Sequence, residues 1–207
     1  MARIAIIFGL LFYTVLLNAQ ADTNAYKTYV GAQVNLNAST VTGTTVRGIN
    51  KVGIFAGLFF QKSMTDDFAL ELDLSYSQKG ALKPPNHKKN DFTKYLMKLD
   101  YAEIGLFGRY DIRGIIYEAG LSGGYLISSS ETDENDQIIT GNGDFSKLEL
   151  SGSIGVQFPI SDRFCIGARL SHSILPIRKH VNGASFRLNI GQMNQVLSFS
   201  VRYTILN

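Results

Sequence analysis

The sequence predicts an all-β fold, an eight-stranded antiparallel up-and-down transmembrane β-barrel with short periplasmic turns and long extracellular loops. Three observations support this prediction. Segments alternate between apolar and polar side chains, as in residues 194–203, NQVLSFSVRY, and about ten tilted residues are enough to cross a bilayer as a β-strand. The first residues have the pattern expected of an export signal. Along the chain, short connections alternate with long ones between these segments.

Residues 1–21 predict a secretory signal peptide that is removed from the mature protein. Met1–Arg3 carries one positive charge, residues 4–17 are mainly apolar, and Ala19-Gln20-Ala21 has the small residues of a cleavage site. An uncleaved anchor helix is the alternative, but a run of about 14 apolar residues is short for spanning a bilayer. Residues 22–207 are then predicted to form one outer membrane β-barrel domain.

Composition restricts the function classes that the mature chain can serve. The formal net charge of +3 is too small to indicate a nucleic-acid partner. Cys165 is the only cysteine, so the fold cannot depend on an internal disulfide. No apolar stretch after residue 21 reaches the length of a membrane-spanning helix. The mature protein is therefore expected to be either soluble or a barrel.

Eight strands are predicted from the period-two alternation. Their approximate ranges are 28–37, 50–62, 68–80, 98–110, 115–128, 146–158, 164–174 and 194–203. The connections at 65–67, 111–114 and 159–163 have the residue types of tight turns. Those near 38–49, 81–97, 129–145 and 175–193 are long and polar. This alternation places the short turns and both ends of the barrel on the periplasmic side.

One face of each predicted strand is apolar and the other is polar. On the third strand Leu70 and Leu72 share a face, while Glu71 and Asp73 share the opposite face. Tyrosines near strand ends predict aromatic girdles at the membrane interfaces; they are Tyr29, Tyr76, Tyr110, Tyr125 and Tyr203. A soluble lipocalin-like barrel or sandwich, with its apolar face inward, is the alternative.

Three segments carry a family resemblance. Residues 75–81, 99–106 and 117–126 are SYSQKGA, LDYAEIGL and YEAGLSGGYL. In this order and spacing they resemble successive strands of the PorT-type outer-membrane barrels of Bacteroidetes. The resemblance covers nearly all of the mature chain and implies an outer-membrane barrel. Because the namesake of that family is tied to type IX secretion, the resemblance suggests this pathway as a setting for the protein.

Strand parity places eight charged side chains in the lumen. They are Glu71, Asp73, Glu103, Glu118 and Glu149, with Arg109, Arg169 and Arg202; Lys79 is a further candidate. The lumen of an eight-stranded barrel is just wide enough for side chains to fill it. Isolated buried charges would cost several kcal/mol each. We therefore expect a plug of ion pairs, and a proton or ion path is the alternative.

No catalytic, cofactor-binding or metal site is predicted. A lipid-modifying barrel enzyme needs a nucleophile and a base within hydrogen-bond reach. His172 is predicted to face lipid and Ser173 to face the lumen, and the residue two positions after the histidine is Ile174, so no facing pair is available. His87 and His180 lie in polar loops without an acidic partner at a recognisable spacing.

Two kinds of charged loop are present. The segment Glu131–Asp136 is acidic and offers oxygen ligands for Ca²⁺, but it lacks the glycine and the distal glutamate of an EF-hand loop, so a solvated loop is favoured. The basic loop residues are candidates for contact with lipopolysaccharide phosphates, with solubility as the alternative role; they are Lys83, Lys88, Lys89, Lys94, Arg178, Lys179 and His180.

These observations predict a non-enzymatic integral outer membrane protein with a structural or accessory role in the envelope. Its expected surroundings are outer membrane lipid and lipopolysaccharide, with envelope or secretion-machine proteins as candidate partners. The barrel is expected to be monomeric and to bind no cofactor and no nucleic acid. Two alternatives remain open: a small lipid-modifying barrel enzyme and a soluble periplasmic ligand-binding barrel.

Overall fold

The eight predicted strands form a closed antiparallel barrel. The computed structural model describes residues 27–44, 48–85, 92–139, 143–179 and 191–206, so the predicted signal peptide lies outside the described residues. The strands are β1 Thr28–Thr42, β2 Lys51–Ser63, β3 Phe68–Lys83, β4 Tyr95–Ile112, β5 Ile115–Thr132, β6 Leu148–Pro159, β7 Phe164–Ser173 and β8 Met193–Leu206. No helix within the described ranges is long and apolar enough to span a membrane.

Pairing between the first and last strands closes the sheet. β1 and β8 pair antiparallel from Val30↔Leu206 to Thr42↔Met193, and every other strand pairs with its neighbour in the chain. A closed sheet has no free edge, so every strand satisfies its backbone groups on both sides. In hydrocarbon this satisfaction is required, because no water is available to bond an open edge.

Residue chemistry explains the tight periplasmic turns. Arg113 and Gly114 connect β4 and β5, and both have positive φ angles, of 55° and 83°, as a type I′ hairpin turn requires. The carboxylate of Asp111 accepts a hydrogen bond from the Gly114 N–H at 2.8 Å. In the two four-residue turns, hydroxyls of Thr65 and Ser161 accept hydrogen bonds from the first backbone N–H of the following strand.

The outer face of the barrel is apolar, as predicted. Large apolar side chains are exposed on this face in every strand; examples are Val34, Leu58, Leu72, Leu106, Leu121, Ile154, Leu170 and Phe199. A soluble barrel would bury this face, so the alternative of a lipocalin-like fold is wrong.

Aromatic residues near the periplasmic end form a row around the outer surface. Phe68 pairs with Tyr110, Tyr110 pairs with Tyr117, and the rings of Phe164 and Tyr203 lie 4.9 Å apart. Of the tyrosines predicted to form a girdle, Tyr110 and Tyr203 belong to this row. Tyr29, which we also assigned to the girdle, instead lines the mouth of the lumen.

Five strands, β1, β3, β4, β5 and β8, are longer than predicted at their extracellular ends, whereas β2, β6 and β7 are one or two residues shorter. β1 continues to Thr42 rather than residue 37, and β5 continues to Thr132 rather than residue 128. There the inward side chains become apolar, as with Val41 and Leu126, so the alternation that marks a strand fades. A bulge where Asp100 pairs with Ser128 and Tyr101 pairs with Leu126 further interrupts the alternation in β5.

The two faces should respond differently to an added charge. Leu72→Arg places a cation on the lipid-facing side, and we expect it to destabilise the barrel by roughly 2–4 kcal/mol. Ser75→Asn, on the lumen side of the same strand, should be much milder because it stays among polar groups. Urea unfolding of the refolded variants in lipid vesicles measures both free energies. Equal losses for the two variants would show that the register is wrong.

Candidate functional site: the charged lumen

The barrel brings all eight predicted charged residues, together with Lys79, into one buried network. Each of these side chains points into the lumen, and Glu71, Asp73 and Arg202 are at most 3% exposed. The network divides into three triads, which succeed one another from the periplasmic to the extracellular side. Each triad is built around one residue that bonds two partners of opposite charge.

The periplasmic triad is built around Glu71. Its carboxylate accepts hydrogen bonds from Arg109 Nη1 at 2.7 Å and from Arg202 Nη2 at 2.5 Å. Two guanidinium groups therefore share one carboxylate, and the triad carries a net charge of +1. Arg109 Nη2 also donates to Gln157 Oε1 at 2.6 Å, and Gln157 Nε2 donates to Glu118 Oε2 at 2.5 Å. This amide joins the first triad to the second.

The middle triad is built around Arg169. Its Nε donates to Glu118 Oε1 at 2.6 Å, and its Nη1 donates to Asp73 Oδ2 at 3.2 Å. Gln33 Nε2 donates to the same Asp73 oxygen at 2.9 Å. Two carboxylates share one guanidinium group, so this triad carries a net charge of −1.

The extracellular triad is built around Lys79. Its Nζ lies 2.5 Å from Glu103 Oε1 and 3.1 Å from Glu149 Oε2, and this triad also carries a net charge of −1. The second oxygen of Glu149 accepts hydrogen bonds from three neutral donors: Ser151 Oγ, Ser173 Oγ and Asn194 Nδ2. These donors solvate a carboxylate that water does not reach.

Aromatic rings cover three of the four cations. The guanidinium carbon of Arg202 lies 4.0 Å from the ring centre of Phe59, that of Arg169 lies 4.0 Å from Phe107, and Lys79 Nζ lies 5.1 Å from Tyr101. Such cation–π contacts gain strength where water is excluded. The rings fit because a glycine faces each phenylalanine. A Cβ on Gly31 would lie 2.3 Å from Phe59, and one on Gly120 would lie 2.5 Å from Phe107.

An apolar layer closes the extracellular end of the lumen. Its members are fully or almost fully buried: Val41, Ala81, Met97, Leu99, Tyr101, Leu126 and Ile177. Ile177 belongs to the last extracellular connection, so this loop turns inward over the barrel. Its backbone N–H bonds to Gln192 O at 2.8 Å, and its carbonyl accepts the Ser146 N–H at 2.7 Å. Two long loops are thereby joined across the opening.

A buried ion pair between Arg178 and Glu131 lies on the extracellular side of the apolar layer. Arg178 donates to both oxygens of Glu131, at 2.6 and 2.9 Å, and stacks 4.2 Å from the Phe145 ring. Tyr95 donates its hydroxyl to the same carboxylate. Burial opposes the charge of Arg178, but the hydrogen bonds and the negative charge of Glu131 raise its pKa above the ordinary value.

Two predictions about loop residues are therefore wrong. Glu131 and Arg178 are buried and bonded to each other, whereas we expected a solvated acid and a solvent-exposed basic loop residue. Two other acids of this loop are bonded at its surface: Asp133 accepts the N–H groups of Asn135 and Gln137, and Asp136 pairs with Lys94. Glu134 is exposed, as expected of a solvated loop. His87, Lys88, Lys89 and His180 lie outside the described residues.

The periplasmic end of the lumen is open. A vestibule of about 790 Å³ lies inside the short turns, with Arg109, Arg202 and the free thiol of Cys165 among its lining groups. Tyr29 and Phe59 form part of its wall. The lumen is therefore accessible from the periplasm and closed toward the outside within the described residues.

The histidine and serine considered for catalysis do not face each other. His172 is exposed on the outer surface of β7, and Ser173 is buried in the lumen, where it donates to Glu149. Among the described residues, no three His, Cys, Asp or Glu side chains form a group that could hold a metal ion. The chemistry that the arrangement supports is electrostatic: it neutralises and immobilises buried charge.

Sequence parity could place charged and neutral polar residues on the lumen side, but it could not show which neutral groups connect the charges. Gln33, Gln157 and Asn194 are each at most 2% exposed and bond to carboxylates of the network. Their signal was present, because each occupies an inward position of its strand. An amide on a polar face resembles any solvated residue in a sequence, so only the pairing of strands reveals its partner.

Comparisons with known proteins show a family and a fold. The family model described as "Outer membrane protein beta-barrel domain" matches residues 18–178. Neisserial surface protein A is 15% identical with a TM-score of 0.50, over 86% of this chain and 97% of that chain. Ail of Yersinia pestis, in complex with the heparin analogue sucrose octasulfate, is 11% identical with a TM-score of 0.46, over 86% and 97%. A comparison with curated proteins gave no match.

Removal of one lumen arginine should lower the free energy of unfolding, because its partners would become unpaired buried charges. Arg169→Ala leaves Asp73 and Glu118 without their shared cation, and we expect a loss of about 3–5 kcal/mol in the free energy of unfolding. Arg163→Ala, in an exposed periplasmic turn, is the control and should change stability by less than about 1 kcal/mol. Urea unfolding in vesicles measures both. A neutral response to Arg169→Ala would contradict the ion-pair plug.

Proposed function

Because this chain belongs to the outer membrane protein beta-barrel domain family, we propose that it is a non-enzymatic, non-conducting envelope protein with a structural or accessory role. One observation carries the proposal: three triads of paired charges and an apolar layer fill the lumen. An ion crossing the barrel would have to separate these pairs and then pass groups such as Leu99 and Ile177, which offer no polar partner.

The geometry gives no support to the two alternative functions. A lipid-modifying enzyme needs a base and a nucleophile on one surface, whereas His172 and Ser173 lie on opposite faces of β7. A soluble binding barrel needs a polar exterior, whereas this exterior is apolar in every strand. A structural or accessory role needs neither feature. It needs a stable barrel that presents loops and turns on the two sides of the membrane.

Recording across a planar bilayer tests the absence of conduction. We expect the purified full-length mature protein to give no stable openings on the nanosiemens scale, because the filled lumen holds no continuous water column. A wide-pore porin, recorded in the same bilayers, is the positive control. Stable openings of the refolded wild-type protein would contradict the proposal.

The setting of this role is the second part of the proposal. Residues 1–21 direct export, the barrel resides among outer membrane lipid and lipopolysaccharide as a monomer, and its ends contact envelope proteins. The resemblance of residues 75–126 to PorT-type barrels supports a type IX secretion machine as the partner. The three short turns that surround the periplasmic vestibule offer a rigid surface for such a contact.

Cross-linking in intact envelopes tests this setting. We expect the protein in the outer membrane fraction to start at Asp22 and to cross-link through its periplasmic turns to a component of a secretion machine. Mass spectrometry of the purified adducts reads both the first residue and the partner. Cross-links confined to lipid, or an uncleaved first segment, would contradict the corresponding part of the proposal.

A further inference from the structure

A small cavity separates the middle and extracellular triads of the lumen. Its volume is about 30 Å³, and both triads contribute to its lining: Asp73 and Arg169 from one, Lys79 and Glu103 from the other. Serine hydroxyls occupy much of the remaining wall; those of β3, β6 and β7 include Ser75, Ser77, Ser153 and Ser171. A space of this size holds one or two particles as large as a water molecule.

Two residues that line this cavity each have a buried oxygen atom without a hydrogen-bond donor. These atoms are Asp73 Oδ1 and Asn35 Oδ1, and both residues are 2% exposed. The other oxygen of Asp73 already accepts from Gln33 and Arg169. A third oxygen at the cavity, Glu103 Oε1, is met only by Lys79 Nζ. Buried acceptors of this kind are costly unless a positive group or a donor reaches them.

The net charge of the three triads is negative, which also favours a bound positive group. The three triads contain five carboxylates and four cations, which leaves one uncompensated negative charge. The periplasmic triad is positive, so the negative excess lies in the two triads that border the cavity. Lys51 is also buried, but it lies at the extracellular end, where it interacts with the charge of Asp100.

We propose that the cavity is a binding site for one monovalent metal cation such as Na⁺, held by Asp73, Asn35 and neighbouring serine hydroxyls. Carboxylate, amide and hydroxyl oxygens are the ligands that hard cations prefer. A single positive charge balances the excess of the lumen. A divalent ion would overcompensate it next to Arg169 and Lys79. The ion would be a fixed structural component, since the apolar layer blocks its passage outward.

Cation-dependent unfolding tests the site. The mature full-length protein is unfolded in urea at one pH and one ionic strength, with NaCl progressively replaced by choline chloride, whose organic cation exceeds the cavity. Binding of Na⁺ to the folded state multiplies the ratio of folded to unfolded protein by the factor 1 + [Na⁺]/Kd. This factor is about a hundred when the Na⁺ concentration is a hundred times Kd. We expect this rise for the wild type.

Two variants and one control locate the effect. Asn35→Leu removes a ligand oxygen without changing the charge, and Asp73→Asn removes both an anionic oxygen and the excess charge; each should abolish the dependence on Na⁺. Asp162→Asn removes an exposed carboxylate from a periplasmic turn and should keep the wild-type dependence. If Asp73→Asn does not refold, Asn35→Leu and the wild type still decide the question.

Thallium provides the direct measurement. A crystal of the wild-type protein soaked in Tl⁺ should show an anomalous peak beside Asp73 Oδ1 and Asn35 Oδ1. The absence of this peak, together with equal stability in sodium and choline, would overturn the proposal. Stability that changes with pH but not with the cation would assign the excess charge to a bound proton instead, and would equally overturn it.

Discussion

The fold depends on the mutual neutralisation of charges inside a space too narrow for bulk water. Nine charged side chains form the three triads of the lumen, and each would cost several kcal/mol if it stood alone in a medium of low polarity. The three triads remove this cost by placing every carboxylate against a cation. The neutral donors Gln157 and Asn194 bond the oxygens of Glu118 and Glu149 that the central cations of their triads do not bond. Gln33 adds a second donor to the Asp73 oxygen that Arg169 bonds. The wall of the barrel, in turn, keeps these partners at fixed distances.

The strands, their order and the two faces of the sheet could be predicted from the sequence because alternation is a local property. On β3 the sequence from Leu70 to Asp73 already separates lipid-facing from lumen-facing side chains, and the structure places them so. The choice of partners could not be predicted. Glu71 bonds Arg202, 131 positions away in the chain, and only the closure of the barrel brings these two residues together.

The extracellular third of the barrel shows why strand ends were missed. On β4 the apolar residues Leu99 and Tyr101 face inward, whereas Ile104 and Leu106 face lipid. The apolar side of the strand therefore changes within a few residues, although the strand continues. The predicted range of 98–110 runs through this change and omits only Tyr95–Met97 at the extracellular end of β4. The reversal itself is the sequence signal of a lumen that changes from polar to apolar along its axis.

The position of Arg169 and Arg202 on the last two strands has a consequence for the biogenesis of the barrel. A sheet that lacks β7 and β8 keeps all five lumen carboxylates but only Lys79 and Arg109 as their cations. Its excess negative charge is three, compared with one in the finished barrel. In hydrocarbon, an incomplete sheet is therefore destabilised both by the unpaired backbone groups of its open edges and by its unbalanced buried charge. Arrival of the C-terminal hairpin relieves both, so ring closure and charge compensation become a single cooperative step.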